Sequence, residues 1–241
     1  MKKRFKKAFI FTFILTLITL GMINCARQDL PQQGKKEVNQ NSTGSKWSSN
    51  SKVIIVASTN FSSYTGDANW SQTEYMSTFI YQVLKARGVS DSNIYYMSAK
   101  TSLPGVDCLP SNANLEYAIK TWAANASELV IHIIGKGFKA GSTPYFITKY
   151  QTVLYPGNLD SWIDQLQQNM SGPVITLLDF DYSGNWISSL APPSGKTRYN
   201  MTSTQLNYTN DDNYKQGAIS FSTLFWGCIL RDMNVKDSYH N

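Results

Sequence analysis

Two side chains of opposite charge, Lys136 and Asp181, each follow an apolar run that breaks into a short turn containing glycine. The runs span residues 129–134 and 174–178. Apolar runs of this length predict buried strands, and an open α/β sheet gathers its functional groups at the carboxyl ends of its strands. At such a place Asp181 could act as an acid or base, or the two charged groups could form an ion pair. The elements that position them therefore matter for function.

The composition bounds the possible functions. With 241 residues and 42% hydrophobic content, the chain can form one domain with a packed core, plus appendages. The net charge is +6, but five of the 22 bases lie within residues 1–24, which contain no acid. Without those five, 17 basic side chains stand against 16 acidic ones, so the remainder is close to neutral. This balance argues against a nucleic-acid-binding surface, and we predict no nucleic-acid partner.

The amino terminus is typical of an export signal. A cationic start precedes an apolar stretch, residues 8–20, that is too short for a comfortable membrane span. Residues 20–25, Leu-Gly-Met-Ile-Asn-Cys, resemble a bacterial lipoprotein signal, in which the cysteine becomes the lipidated first residue. Asn24 departs from the usual Gly, Ala or Ser, so an ordinary secretory signal with an incidental cysteine is the alternative. We predict a signal peptide at 1–24, lipidation of Cys25, and a membrane-anchored cell-envelope protein that faces the periplasm or the outside.

Residues 25–50 are rich in Gln, Asn, Ser, Lys and Gly. Such a segment cannot bury enough apolar surface to offset the entropy of ordering, so it predicts a flexible tether. Trp47 is the exception and could dock on the domain. The sequence thus predicts a folded domain over residues 51–232 and a short tail over residues 233–241.

Strand and helix signals alternate through the folded part. Strands that are apolar throughout and separated by helices indicate a parallel sheet covered on both faces, and hence an α/β fold. The predicted strands are residues 53–57, 93–97, 129–134, 174–178 and 199–202, and the predicted helices are residues 71–87, 114–124, 159–168 and 220–230.

The order and spacing of five segments resemble the caspase-like cysteine peptidases, specifically the legumain-type family and its bacterial members. The segments are residues 52–57, 112–123, 159–166, 201–204 and 220–226. The resemblance covers about residues 52–230. It implies a caspase-like, three-layer αβα sandwich with a mostly parallel sheet.

The resemblance also implies where an active site would lie. The family's histidine strand ends in Asp-His-Gly, and this chain has Gly135, Lys136 and Gly137 there. The nucleophile strand of the family ends in an acidic or small residue, Ala, Cys, a variable residue, Ser and Gly. The corresponding run here is Asp-Phe-Asp-Tyr-Ser-Gly, residues 179–184, so Ser183 and Gly184 are kept while Asp181 stands at the cysteine position.

Both differences lie at the positions that the resemblance assigns to the catalytic base and the nucleophile. Acyl transfer by this route needs a thiolate nucleophile and a base that exchanges protons near neutral pH. Aspartate is a poor nucleophile toward an amide, and lysine normally titrates near pH ~10.4. We therefore predict no catalytic residue in this chain. We also predict no cofactor-binding residue and no metal site.

The histidines and the other two cysteines are poor candidates for the missing base and nucleophile. His132 lies inside a predicted strand and is expected to be a satisfied core histidine, while His240 lies next to the terminus. Cys108 is expected in the loop 104–110 and Cys228 in the closing helix, and both are expected to be inert apolar side chains. A disulfide between these two cysteines is possible in an exported protein, although the sequence does not set their separation.

A sharper hypothesis concerns the two charged residues themselves. If the fold brings Lys136 and Asp181 within about 4 Å of each other at a partly buried strand end, they form an ion pair that favours both charged forms. A separation beyond about 6 Å would contradict the hypothesis. The alternative is that both are solvated loop residues.

The predicted function is therefore that of a non-catalytic pseudopeptidase, exported and lipid-anchored, that binds a peptide or a protein. Residues 204–217, rich in Asn, Asp and Tyr, are where such folds shape a substrate cleft and could contact the partner, although a solvated polar loop is the alternative. Two other functions stay open. One is a hydrolase of the same fold with altered catalytic residues, and the other is a structural surface lipoprotein.

Overall fold

Six parallel strands form the central sheet in a computed structural model, which describes residues 47–59, 61–207, 220–233 and 238. In spatial order they are β3, β2, β1, β4, β8 and β9. Their bounds are Ser51–Ala57 for β1, Ile94–Ser98 for β2, Val106–Cys108 for β3, Glu128–Ile134 for β4, Val174–Asp179 for β8 and Arg198–Thr202 for β9.

Helices cover both faces of this sheet. On one face, α1 (Trp70–Ala86) and α4 (Phe221–Leu230) bury apolar side chains against alternate strand residues such as Val53 and Ile55. On the other face, α2 (Asn112–Tyr117), which continues as a π-helical turn (Ala118–Trp122), and α3 (Pro156–Asn169) pack against Ile54 and Val56. This is a three-layer αβα sandwich, as the sequence predicts, and its fully buried strands explain the uninterrupted apolar runs.

The strand order places the charged strand ends beside the reversal point of the sheet. Strand β1 pairs with β2 on one side and with β4 on the other, so the connections reverse direction between β1 and β4. Ligands of open α/β sheets bind outside the carboxyl ends of the strands at such a point. Strand β8 lies next to β4, with Ile134 opposite Asp179 in the register. The segments that follow these two strands therefore leave the sheet side by side.

Two parts of the architecture differ from the sequence prediction. A separate antiparallel sheet of three strands, β5 (Gly137–Ala140), β6 (Thr143–Lys149) and β7 (Thr152–Leu154), lies between β4 and α3 and was not predicted. The expectation of a loop around Cys108 is wrong, because this residue ends β3, a three-residue edge strand that pairs with β2. Strands of three or four residues, such as β3, β5 and β7, carry too few residues to show a period in the sequence.

One buried cation fixes α3 to the edge of the sheet. The Arg198 guanidinium on β9 is fully buried and donates to the carboxylates of Asp160 and Asp164, each at 2.6 Å. It also donates to Gln167 at 2.7 Å, so three residues on one side of α3 satisfy it. Burying a charge is tolerated only when it is paired and hydrogen-bonded in this way.

Several predictions concern residues at the boundaries of the described structure. Trp47 packs against the α1–α4 side of the core, as anticipated. The signal peptide, Cys25 and most of the tether lie outside the described residues, and so do Tyr208, Tyr214 and the rest of residues 208–217. No helix among the described residues is both long and apolar enough to cross a membrane.

Candidate functional site

Lys136 and Asp181 meet at the carboxyl edge of the sheet. Lys136 Nζ lies 2.6 Å from Asp181 Oδ2, so the ion-pair hypothesis is confirmed. The Asp181 side chain is 1% exposed whereas that of Lys136 is 33% exposed, so the carboxylate is the buried member of the pair and the lysine is the partly exposed one. Burying a carboxylate is costly without such a partner.

Two glycines after β4 allow close approaches of the backbone, Gly135 to the end of β1 and Gly137 to the end of β8. Gly135 has φ +152°, a conformation that residues with a Cβ rarely adopt, and a Cβ there would lie 2.8 Å from the Ser58 carbonyl oxygen. At Gly137 a Cβ would lie only 2.0 Å from the Asp181 carbonyl oxygen. The glycine at 137 is therefore required by the backbone contact with Asp181.

The turn after β8 is held by packing and hydrogen bonds. Tyr182 adopts the left-handed conformation with φ +61°, which is uncommon for a bulky residue. Ser183 Oγ lies 2.8 Å from Thr204 Oγ1, and a Cβ on Gly184 would lie 2.6 Å from the Thr204 carbonyl oxygen. Ser183 and Gly184 thus connect this turn to the segment that follows β9.

Polar residues at the end of β1 complete this edge and were missed by the sequence analysis. Ser58 Oγ donates to the carbonyl oxygens of Ile147 and Thr148, at 2.6 and 2.8 Å, and so attaches the antiparallel sheet to β1. Thr59 Oγ1 donates to Asp67 Oδ2 at 2.6 Å. The only sequence signal was that polar residues follow an apolar strand, which is common to most strand ends.

His132 is a satisfied core histidine, as predicted. It is fully buried, and its Nδ1 accepts a hydrogen bond from Trp226 Nε1 at 2.9 Å. Because an indole N–H only donates, Nδ1 is unprotonated and Nε2–H donates to Ser222 Oγ, also at 2.9 Å. The Ser222 hydroxyl in turn donates to Asp179 Oδ2.

This buried chain cannot perform triad chemistry. In a catalytic triad the histidine accepts the proton of the serine and lies between the serine and the acid. Here Ser222 lies between His132 and Asp179, and the histidine is the donor toward the serine. The arrangement instead fastens α4, which carries Ser222 and Trp226, to the centre of the sheet.

The two cysteines of the folded part lie outside the segments that follow β4 and β8. Cys108 and Cys228 are both free, so the disulfide that the sequence left open is not formed. Cys108 Sγ donates to the Tyr95 hydroxyl at 3.6 Å, and burial raises the pKa of this thiol. A raised pKa reduces the thiolate fraction that a nucleophile needs. Among the described residues, no group of three or more His, Cys, Asp or Glu side chains is arranged to hold a metal ion.

Comparisons with known proteins address the fold. No family model matches the chain, and no curated protein matches it. Among solved structures it is similar to the crystal structure of the Drosophila initiator caspase Dronc. The identity is 12%, the match covers 89% of this chain and 83% of that chain, and the TM-score is 0.48. At this identity the similarity concerns overall architecture and gives no residue a role.

The ion pair generates a first prediction. Replacing Lys136 with Met should lower the free energy of unfolding by about 2–4 kcal/mol, because the buried Asp181 carboxylate loses its charged partner. The double variant Lys136→Met, Asp181→Asn should lose less than the sum of the two single variants. Chemical denaturation of the four proteins measures both quantities.

Lys149→Met provides the control for this cycle. Lys149 is an exposed lysine at the end of β6, and its loss should change the unfolding free energy by less than about 0.5 kcal/mol. Strictly additive single variants would contradict a coupling between Lys136 and Asp181.

A second prediction concerns pH. Burial lowers the pKa of His132 to about 3, whereas the unfolded state has the ordinary value of about 6.5. The unfolded state therefore binds more protons between these values, and stability falls as the pH falls below about 6.5. From pH 7 to pH 5 this should cost about 2 kcal/mol.

Unfolding free energies measured at pH 7, 6 and 5 test the histidine contribution. His132→Leu should remove most of the slope although it also destabilises the core, while His240→Leu, at the predicted tail, should leave the slope unchanged. An unaltered slope in His132→Leu would show that other groups cause the pH dependence.

Proposed function

We propose that this chain is a non-catalytic relative of the legumain-type cysteine peptidases that is exported, lipid-anchored and binds a peptide or protein. One observation carries the proposal: Lys136 and Asp181 form a direct ion pair at adjoining carboxyl ends of the sheet. The sequence resemblance assigns these two positions to the general base and the nucleophile of the family.

In this proposal the ion pair is the reason why the chain lacks the cysteine-peptidase activity of the family. The Asp181 side chain is buried and paired with an ammonium, so its carboxylate is not presented to a scissile bond. Lys136 as an ammonium has no lone pair with which to accept a proton. The free thiols belong to the edge strand β3 and to α4, and no thiol occurs at the end of β4 or β8.

The frame around the pair nevertheless supports binding. Gly137 packs against the Asp181 backbone, and Ser183 and Gly184 hold the turn after β8 against the segment that follows β9. The adjacent turn presents Tyr182 in a left-handed conformation, and such conformations persist where the surroundings over-determine them and often occur at ligand sites. The carboxyl edge beside a reversal point is also where α/β sheets bind ligands.

A third prediction separates binding from catalysis. The wild-type chain should not cleave a peptide library, and Asp181→Ala should change nothing in that assay, because no step uses this carboxylate. Peptides selected on the immobilised wild-type chain should bind at least about tenfold more weakly to Tyr182→Asn, since asparagine tolerates the left-handed backbone but removes the ring.

The matched control is Tyr117→Asn, which removes an exposed tyrosine from α2 and should leave peptide binding unchanged. Turnover that Asp181→Ala abolishes would replace the proposal with a hydrolase of altered chemistry. Selected peptides that bind the two tyrosine variants equally well would contradict binding at the strand ends.

The anchor is part of the proposal and rests on the signal-like sequence that ends at Cys25. The fourth prediction is that Cys25→Ser moves the protein out of the membrane fraction of the producing bacterium and removes the mass of the attached acyl chains. Membrane association equal to that of wild type, with no acyl mass on either protein, would contradict lipidation.

A further inference from the structure

The outer edge of β9 presents backbone hydrogen-bonding groups away from the sheet. Strand β9 is the last strand of the central sheet in spatial order and pairs with β8. The Thr197 carbonyl oxygen and the Ser203 N–H both bond to β8, so the odd-numbered residues of β9 face that strand. The alternate residues Arg198, Asn200 and Thr202 therefore direct their N–H and C=O groups outward. Within the described part of the chain, no backbone group pairs with these three residues.

The other sheet edges of the described structure carry features that hinder pairing. Strand β3 has three residues, an irregular register with β2 and the exposed Asp107. Strands β5 and β7 have four and three residues, and β5 carries Lys139. Short strands, charged side chains and bulges are means by which proteins keep an edge from pairing with another chain.

Strand β9 has none of these features. Its five residues pair with β8 in a regular register and include no proline. Its one charged residue, Arg198, is buried and neutralised by Asp160 and Asp164 on α3. The edge of β9 is thus open to pairing, unlike the edges at β3, β5 and β7.

The outward groups of β9 fit an extended polypeptide strand. Arg198, Asn200 and Thr202 each offer one donor and one acceptor, and the pairs of groups recur about every 6.8 Å along the strand. An added strand presents its own donors and acceptors with the same repeat. Main-chain bonds of this kind supply the affinity when a peptide adds to an exposed sheet edge.

The side chains beside the edge indicate the pattern of the added segment. Tyr199 is 53% exposed and lies on the same side of the sheet as Met201, which packs in the core under α1 and α4. On the other side, Asn200 and Thr202 already bond their polar side chains within the chain. An apolar residue opposite Tyr199 gains a cross-strand contact with the ring. The segment that fits has apolar residues at every second position.

A flexible segment fits this edge better than a folded partner does. The five residues of β9 form a strip about 17 Å long. An extended segment can lie along the whole strip and satisfy its backbone groups. Two folded molecules that meet along such a strip bury much less than the ~1,200 Å² of a typical stable interface.

We propose that the outer edge of β9 binds an extended segment of another polypeptide as an additional strand of the central sheet, with apolar residues at alternate positions beside Tyr199. This goes beyond the proposed binding at the ends of β4 and β8 and does not depend on it. The recognised chemistry is the peptide backbone, and the Tyr199 ring adds a preference for apolar side chains.

A fluorescein-labelled peptide of alternating threonine and valine tests the added strand, with fluorescence anisotropy on titration with the full chain as the readout. N-methylation of all its valines, or of all its threonines, blocks the N–H groups on one edge of the extended peptide and leaves the other edge intact. Only one edge can face β9, so one methylated peptide should bind at least about tenfold more weakly than the other.

Variants at position 200 test the location. Asn200→Pro removes an outward N–H, and proline is tolerated in an edge strand where its nitrogen faces solvent. Asn200→Ala is the matched control, because it loses the same side-chain hydrogen bonds and keeps the N–H. The dissociation constant of the unmethylated peptide should be at least about tenfold higher for Asn200→Pro than for Asn200→Ala.

A second pair of variants tests the ring. Tyr199→Ser should weaken binding of the unmethylated peptide about threefold through loss of the cross-strand contact. Tyr117→Ser, at a tyrosine on α2 that is 51% exposed, should leave binding unchanged. Circular dichroism of all four variants, expected to match wild type, shows that weaker binding does not come from unfolding.

Several results would overturn the proposal. These are an unmethylated peptide that does not bind, two methylated peptides that bind equally well, and equal binding by Asn200→Pro and Asn200→Ala. Binding that is lost in Tyr182→Asn and kept in Asn200→Pro would place the peptide at the ends of β4 and β8. A wild-type dimer in light scattering that Asn200→Pro converts to a monomer would assign the edge to a second copy of this chain.

Discussion

Two buried carboxylates at the end of β8 set the constraint on which the carboxyl edge depends. Asp179 is 7% exposed and Asp181 is 1% exposed, and each would be strongly destabilising if its charge had no compensation. The structure compensates them with different elements. Asp179 accepts from the Ser222 hydroxyl and from the backbone N–H of Ser222 at 3.3 Å, in the first turn of α4. Asp181 is paired with Lys136 from the end of β4.

These compensations couple parts of the fold that are distant in sequence. A carboxylate at the amino-terminal turn of a helix also interacts favourably with the helix dipole, so Asp179 attaches the first turn of α4 to the end of β8. Through Ser222 and His132 the same carboxylate reaches Trp226 and the centre of the sheet. Asp181 meanwhile holds the start of the antiparallel sheet, because Gly137 lies directly against its carbonyl oxygen. The end of β8 thus positions α4 on one face of the central sheet and the antiparallel sheet beside it.

The sequence predicted the long buried elements and suggested the ion pair as a hypothesis, but it did not predict the contacts between short elements. Strand β1 is a run of β-branched residues, and its type follows from composition alone. The proximity of Lys136 and Asp181 follows from parallel topology, since neighbouring strands end at the same edge. By contrast, β5 and β7 hold only four and three residues, and Pro144, a residue that disfavours strands, lies within β6. The Trp226–His132 hydrogen bond joins residues 94 positions apart, and no local pattern encodes such a contact.

The residues that match the family pattern have packing roles, and these must be considered before any catalytic role is inferred from them. Gly137 and Gly184 have no room for a Cβ, and the Ser183 hydroxyl lies between backbone segments that it connects. These requirements hold whether or not a nucleophile stands at position 181, so keeping these residues says nothing in favour of catalysis. The charged pair differs, because removing Lys136 would take from the buried Asp181 carboxylate the ammonium that compensates its charge.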